Sequence, residues 1–130
     1  MAITLTGLDI IEYKPFLKKY SNYSNDNTIF NDYITSAITE VERQFNSYID
    51  ITSTFLDNNE NYLVCFKQYT YYLYMQSVAI KQEKDSQEVE YLKEAKNDYN
   101  NLFNRFVTIF NNNLNSTDDP ISNNINLIFG

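Results

Sequence analysis

Histidine and tryptophan are missing from this 130-residue chain, glycine and proline occur twice each, and cysteine occurs once. Each absence removes a class of chemistry. Without histidine there is no serine or cysteine triad, no imidazole metal site, and no Glu-x-x-His pair of the kind that builds di-iron helix bundles. With Gly7 and Gly130 as the only glycines, no phosphate-cradling loop of the Walker or Rossmann kind can be written. A single cysteine, Cys65, excludes an internal disulfide and any multi-cysteine zinc site, so a reducing compartment suits the chain. Positive charge is scarce as well. Ten basic side chains face seventeen acidic ones, a net charge of -7 with a pI near 4.4. That balance opposes a sequence-independent grip on phosphates, because counterion release needs clustered Lys and Arg. No apolar run reaches the roughly 18 residues of a membrane span, and residues 1–8 lack the basic start and apolar core of a signal peptide.

Scarce glycine and proline also mean few tight turns. An all-β sandwich or barrel needs turn residues every 8 to 12 positions or so, whereas long helices joined by a few polar loops do not. The expected fold class is therefore all-α. A chain of this length buries roughly two thirds of the surface it exposes when unfolded, enough for one core. Aromatic residues make up 16% of it, twelve Tyr and nine Phe. Part of that skew, like the abundance of Asn and Ile, is what an AT-rich coding sequence would write.

Along the chain, Thr6-Gly7-Leu8-Asp9 is a start signal: Thr6 is placed to cap and Asp9 to complete a capping box. A short helix over Leu8, Ile11 and Tyr13 is predicted to stop before Pro15, which keeps Lys14 out of the α region, with Phe16, Leu17 and Tyr20 in a second short turn. Residues 21–27 read as loop. From residue 28 to 49, Phe30, Ile34, Ala37, Val41, Phe45 and Tyr48 recur every three or four positions, one helical face. Asp26 or Asn27 would cap it, and Asp32, Thr35, Thr39, Glu40, Glu42 and Arg43 form its solvated stripe. Residues 50–60 read as a connection with room for a short extended piece, and its Phe55 and Leu56 either plug the bundle end or offer a loop contact to a partner.

The stretch "NYLVCFKQYTYYLYMQSVAIKQ" that follows is apolar around most of its girth. Leu63, Phe66, Tyr69, Leu73 and Val78 share one face, Tyr62, Cys65, Tyr72, Met75 and Ala79 continue it, and Lys67, Gln68, Thr70, Gln76 and Lys81 are left for water. Such a helix is normally the central one, and Tyr suits its margins because the ring is buried while the hydroxyl finds a partner. Asp85 and Ser86 restart the chain, and Leu92, Ala95, Tyr99, Leu102, Phe106 and Ile109 carry a regular helix that the cluster at residues 111–113 should end. The architecture expected is a small bundle of three long helices plus a short N-terminal helix over residues 1–110, with an extended C-terminal tail over 111–130. In that tail Ile125, Leu127 and Phe129 alternate with Asn124, Asn126 and Ile128, and Ile121 precedes them. Leaving large apolar side chains in water forgoes roughly 1.5 to 3 kcal/mol each, so a partner is expected to cover them.

Two groups invite a chemical reading. Cys65 lacks a base and sits among apolar neighbours that raise a thiol pKa, so a packed core thiol is the plainer account. Glu90, Glu94 and Asp98 fall at i, i+4 and i+8 of one helix, where magnesium could bind as in all-α nucleotide pyrophosphohydrolases. That site needs an acidic helix opposite, and Glu40 and Glu42 fall on an outer face, so a solvated stripe beside Lys93 and Lys96 is expected. No cofactor and no enzymatic activity are expected.

The order of these segments carries a resemblance. "TLTGLDII", then "IFNDYITSAITEVERQFNSYI", then "LVCFKQYTYYLYMQ", then "SQEVEYLKEAKNDYNNLFNRF" and an extended tail resembles the head-to-tail connector, or head-completion adaptor, proteins of tailed bacteriophages. The residue run from Ala37 to Tyr48 resembles part of the first long helix of that family. Glu88, Tyr91 and, one position late, Ala95 approximate its "E-x-x-Y-x-x-A" pattern. The likeness spans residues 3–110 and is one of pattern and order. The chain differs from the common form in its asparagine content, its loop at 21–27 and its longer polar tail. The resemblance implies a structural virion protein of the capsid–tail junction, made in the host cytoplasm. It implies a homo-oligomeric ring, commonly of twelve copies, under the portal protein, a platform for tail or stopper proteins, and DNA passing through the channel without sequence-specific binding. The segment that would reach the portal is the tail, with Ile121, Ile125, Leu127, Ile128 and Phe129 as its docking side chains. The competing expectation is an acidic helical interaction module, a regulator or DNA mimic. A magnesium-dependent nucleotide hydrolase ranks behind both.

Overall fold

A computed structural model describes residues 3–21, 28–81 and 86–115. The described residues are all-α: a short N-terminal helix and three long helices, with no strand among them. The first helix, α1 (Gly7–Tyr13), begins with the predicted capping box. The Asp9 backbone N–H donates to the Thr6 hydroxyl at 3.4 Å, and the Thr6 N–H donates to the Asp9 carboxylate at 2.8 Å, satisfying two of the donors a helix start leaves open. It ends where Lys14 turns to an extended φ of -134° and Pro15 opens a 3₁₀ turn, Pro15–Leu17, followed by the single turn α2 (Lys18–Ser21). Ile10 and Ile11 are buried, whereas Leu8, expected inside, faces solvent. Residues 8 and 11 cannot both face inward once Ile10 does.

A 3₁₀ turn, Thr28–Phe30, leads into α3 (Asn31–Asn46). Phe30, Ile34, Ala37, Val41 and Phe45 are all buried, as their spacing predicts. The expected caps, Asp26 and Asn27, lie outside the described residues. The helix stops at Asn46, so the period breaks before Tyr48. Tyr48 is 64% exposed and Ile49 takes the inner position. Where an extended piece was expected in the connection, the chain makes a 3₁₀ turn, Thr54–Leu56, capped by the Ser53 hydroxyl, which accepts from the Phe55 N–H. Asn58 then adopts a positive φ of 56°, a conformation that Asn tolerates better than most residues in a chain with so little glycine. Asn59 caps the next helix, accepting from the N–H groups of Asn61 and Tyr62.

That helix, α4 (Glu60–Ala79), is the central one. It runs antiparallel to α3, with Phe45 against Tyr62 at one end and Phe30 and Tyr33 against Tyr74 at the other. It also runs antiparallel to α5 (Gln87–Asn115), with Tyr62 against Phe106 and Tyr69 against Tyr99. Ser86 accepts from the Val89 N–H at the start of α5. The core has two parts. Around the lower one, Phe45 stacks on Phe103 with ring centroids 4.2 Å apart and presents its edge to Phe106 at 5.6 Å, geometries that add to simple area burial. Val41, Cys65, Phe66, Tyr99 and Phe110 complete it. The upper part is closed by the N-terminal elements: Ile10, Ile11 and Leu17 pack with Phe30, Ile34, Tyr71, Tyr74, Met75 and Ala95.

Two corrections follow for α4 and one for α5. Gln68 and Thr70, expected in water, are 1% and 0% exposed: the N-terminal elements cover the Gln68 side of the helix through Tyr13, whereas Thr70, one turn from Phe66 and from Tyr74, lies on the side that packs against α3. Both are satisfied as buried polar groups must be: the Thr70 hydroxyl donates to the Phe66 carbonyl at 2.8 Å, and the Gln68 amide donates to the Ala95 carbonyl at 3.0 Å while accepting from the Tyr13 hydroxyl. The asparagines at 111–113 do not end α5, which continues to Asn115, so the helical unit extends past residue 110. Low helix propensity is a weak prior that packing overrides, and Phe110 and Asn112 are both buried. The tail beyond Asn115 lies outside the described residues.

Replacing Gln68 tests the link between α4 and the N-terminal segment. Gln68→Leu strands the Tyr13 hydroxyl and should lower the unfolding free energy by about 1–3 kcal/mol. Removing that hydroxyl in the same chain, Tyr13→Phe with Gln68→Leu, should recover part of the loss. Urea denaturation of the three proteins measures both effects.

Candidate interaction surface

The aromatic stretch that encloses Cys65 is interior rather than a reaction centre. Cys65 is fully buried, its Sγ donating to the Asn61 carbonyl at 3.4 Å, and burial pushes the thiol up to about 12. At neutral pH it is therefore neutral and a poor nucleophile. The neighbouring phenols follow the same physics. Burial, helped by nearby acidic groups, raises Tyr13 and Tyr71 to about 12, and pushes Tyr62 and Tyr99 higher still. Tyr99 spends its hydroxyl on structure, donating to the Gln44 side chain at 2.7 Å, and Gln44 in turn donates to Glu40 at 2.9 Å. Hydrogen bonds from Arg43 and Gln44 hold the Glu40 carboxyl down at about 2. This chain joins α5 to α3 at the edge of the core.

The acidic stripe of α5 is solvated. Glu90 pairs with Lys93 at 3.3 Å, both largely exposed. Among the described residues no group of three or more Cys, Asp or Glu side chains converges as a metal site would require. Asp98 lies instead in a shallow polar recess of about 270 Å³ with Tyr13, Lys14, Gln68 and Arg105. No described helix is long and apolar enough to cross a membrane.

The side chains available for contact are apolar ones left outside the core. Leu56, proposed from the sequence as a loop contact, is buried at 1% exposure, and Phe55 lies against Phe106 and Phe110 with centroids 6.4 and 5.8 Å away. The pair plugs the lower end of the bundle, the first of the two roles expected of it. Ile121, Ile125, Leu127, Ile128 and Phe129 lie outside the described residues. Two grooves that periodicity did not reveal stand out. One, of about 610 Å³, runs along the upper half of α3 and α4 and is lined mainly by Tyr33, Leu73, Gln76 and Ile80, with Ile80 82% exposed. The other, of about 380 Å³, lies at the lower end, between the turn after α3 and the last turns of α5. Tyr48, Ile49, Asp50, Phe110, Asn111 and Leu114 line it, and Leu114 is 58% exposed. The signals in the sequence were faint: Ile80 ends an apolar run just before Lys81, and Leu114 is isolated among asparagines.

The buried acids make a pH prediction with a definite sign. Unfolded Cys and Tyr side chains ionise near 8.5 and 10, whereas folded Cys65, Tyr13 and Tyr71 hold their protons to about 12. Their contribution is complete below pH of about 8.5 and is lost as pH rises toward 12. With no histidine in the chain, the urea midpoint should be level between pH of about 6 and 8 and then fall steadily. A midpoint that holds through pH 11 would contradict the burial of these groups. Compared with known proteins, the chain matches no family model, no curated protein and no solved structure.

Proposed function

We propose that this chain is a structural subunit of a tailed-bacteriophage virion, a head-to-tail connector that assembles as a ring between the portal and the tail. The observation that carries the reading is one of order. The four quoted segments that resemble the connector family correspond, one for one, to α1, α3, α4 and α5, and the fold they build presents an apolar groove on its flank. A contact between the flank of one copy and a different face of the next is heterologous, and when its rotation closes it produces a ring. Leu73 and Ile80 on α4 supply apolar area for such a contact.

In this reading the C-terminal residues reach the portal. Alternating Ile125, Leu127 and Phe129 suit addition to a sheet edge, where backbone hydrogen bonds give affinity and every second side chain fills a pocket. Many weak tails on one ring act together through avidity. The net charge of -7 suits a channel wall that repels a passing duplex. The same charge favours a second reading, an acidic module that competes with DNA for a basic partner. That reading requires a monomer or dimer and displacement of DNA.

Mixing the protein at high concentration with purified portal separates the two. Mass photometry should show ring-sized assemblies on the portal, and removal of residues 121–130 should abolish them. Ile80→Asp should prevent ring closure while leaving the circular dichroism spectrum unchanged, since Ile80 contributes little to the core. Monomers alone, with no portal complex, would reject the connector reading.

A further inference from the structure

We propose that, in the lone subunit, the C-terminal residues 121–129 fold back onto the lower groove between the turn after α3 and the last turns of α5. Two independent observations converge there. The groove carries two of the most exposed large apolar side chains of the described residues, Tyr48 at 64% and Leu114 at 58%, above a floor of Ile49 and Phe110. Second, the chain leaves α5 at Asn115, one residue past Leu114, and continues for residues 116–130, which contain the isolated apolar set Ile121, Ile125, Leu127, Ile128 and Phe129.

Reach decides between the two grooves. Six residue steps separate Asn115 from Ile121 and span at most about 20–22 Å when fully stretched, so Ile121 starts within that distance of Asn115, and the lower groove is beside it. The upper groove ends at Ile80, near the start of α5, and α5 with its 29 residues is about 43 Å long. Only the last few residues of a fully extended tail would arrive there. A segment tethered at the mouth of its own groove has an effective concentration on the order of millimolar, so docking too weak to join separate molecules suffices within one. The docked state belongs to the subunit before assembly and does not depend on the connector reading.

A paramagnetic label decides it with the full chain. Cys65 is buried and unreactive, so Gly130→Cys offers one labelling site. In the labelled monomer the amide resonances of Tyr48, Asp50 and Leu114 should lose most of their intensity, while those of Leu73 and Ile80 keep theirs. Leu114→Asp in the same background should restore the lost signals, and Tyr48→Ser replaces it if that variant gives a collapsed spectrum. Three results would overturn the proposal: no localised loss, a loss centred on Leu73 and Ile80, or a loss that appears only when a labelled chain is mixed with an isotope-labelled, spin-free one, which would make the occupant a second copy. No portal is present in the experiment, so its failure leaves the connector reading standing.

Discussion

A twenty-residue helix with apolar side chains around most of its girth has no face to give to water, and the rest of this molecule is arranged to cover it. Helix α4 carries Tyr62, Cys65, Phe66, Tyr71, Tyr74, Met75 and Ala79, all buried. Helix α3 covers one flank, α5 another, and the N-terminal elements close the upper part of a third. The demand explains why the short α1 exists as a built element. Seven residues are far below the length at which an isolated helix holds in water, so α1 depends on its capping box and on Ile10 and Ile11 meeting Tyr71, Met75 and their neighbours. Covering α4 on that side also forces Gln68 inside, as α3 does Thr70 on the far side of the helix. Both retain stability only because each finds a partner, and Gln68 thereby ties α1 to α5 across the central helix.

Aromatic content acts here through shape. Phe45 touches Tyr62, Phe66, Phe103 and Phe106, so one ring joins all three long helices. Offset stacks and edge contacts fix relative orientation more tightly than aliphatic packing does, because a ring satisfies its quadrupole in few arrangements. Tyrosine extends the same packing to the rim, where Tyr99 hands its hydroxyl to Gln44. Asparagine takes a position that glycine usually fills at Asn58, in the left-handed turn, and caps α4 with its side-chain oxygen at Asn59. The abundance of Tyr, Phe and Asn is thus put to structural use.

The parts of this fold that were legible in the sequence are those set by period and by local chemistry. The α3 face from Phe30 to Phe45, the Thr6–Asp9 box, the stop at Pro15 and the central place of α4 all follow from spacing or from a side chain meeting its own backbone. What escaped was set by tertiary contact. Tyr48 continues the α3 period in sequence, but the helix has already ended. Gln68 and Thr70 look polar in a helix that the sequence does not show to be covered on every side. The asparagines after Phe110 are poor helix formers individually, yet α5 runs on through them to Asn115, with Phe110 buried against Phe55. The interaction surface escaped for the same reason. Ile80 and Leu114 are ordinary apolar residues in sequence, and only the packing of everything else shows that neither joined the core.

Function, on this account, is carried at the margins. The centre is chemically quiet because burial lifts its acids out of the neutral range and its hydrogen bonds are taken. The three most exposed large apolar side chains of the described residues stand at two separated places: Ile80 on the α3–α4 flank, and Tyr48 and Leu114 at the lower end. A subunit with two apolar patches at different levels can meet unlike surfaces of its neighbours, which is what a heterologous contact needs and a twofold dimer does not. The lower patch adjoins the end of α5, where the tail departs. If the tail rests there in the free subunit, any partner that takes it must outcompete a tethered rival, and in yielding the tail the subunit uncovers Tyr48 and Leu114. Binding at the tail then creates a fresh apolar surface at the bundle end, so one docking event prepares the face on which the next component can sit.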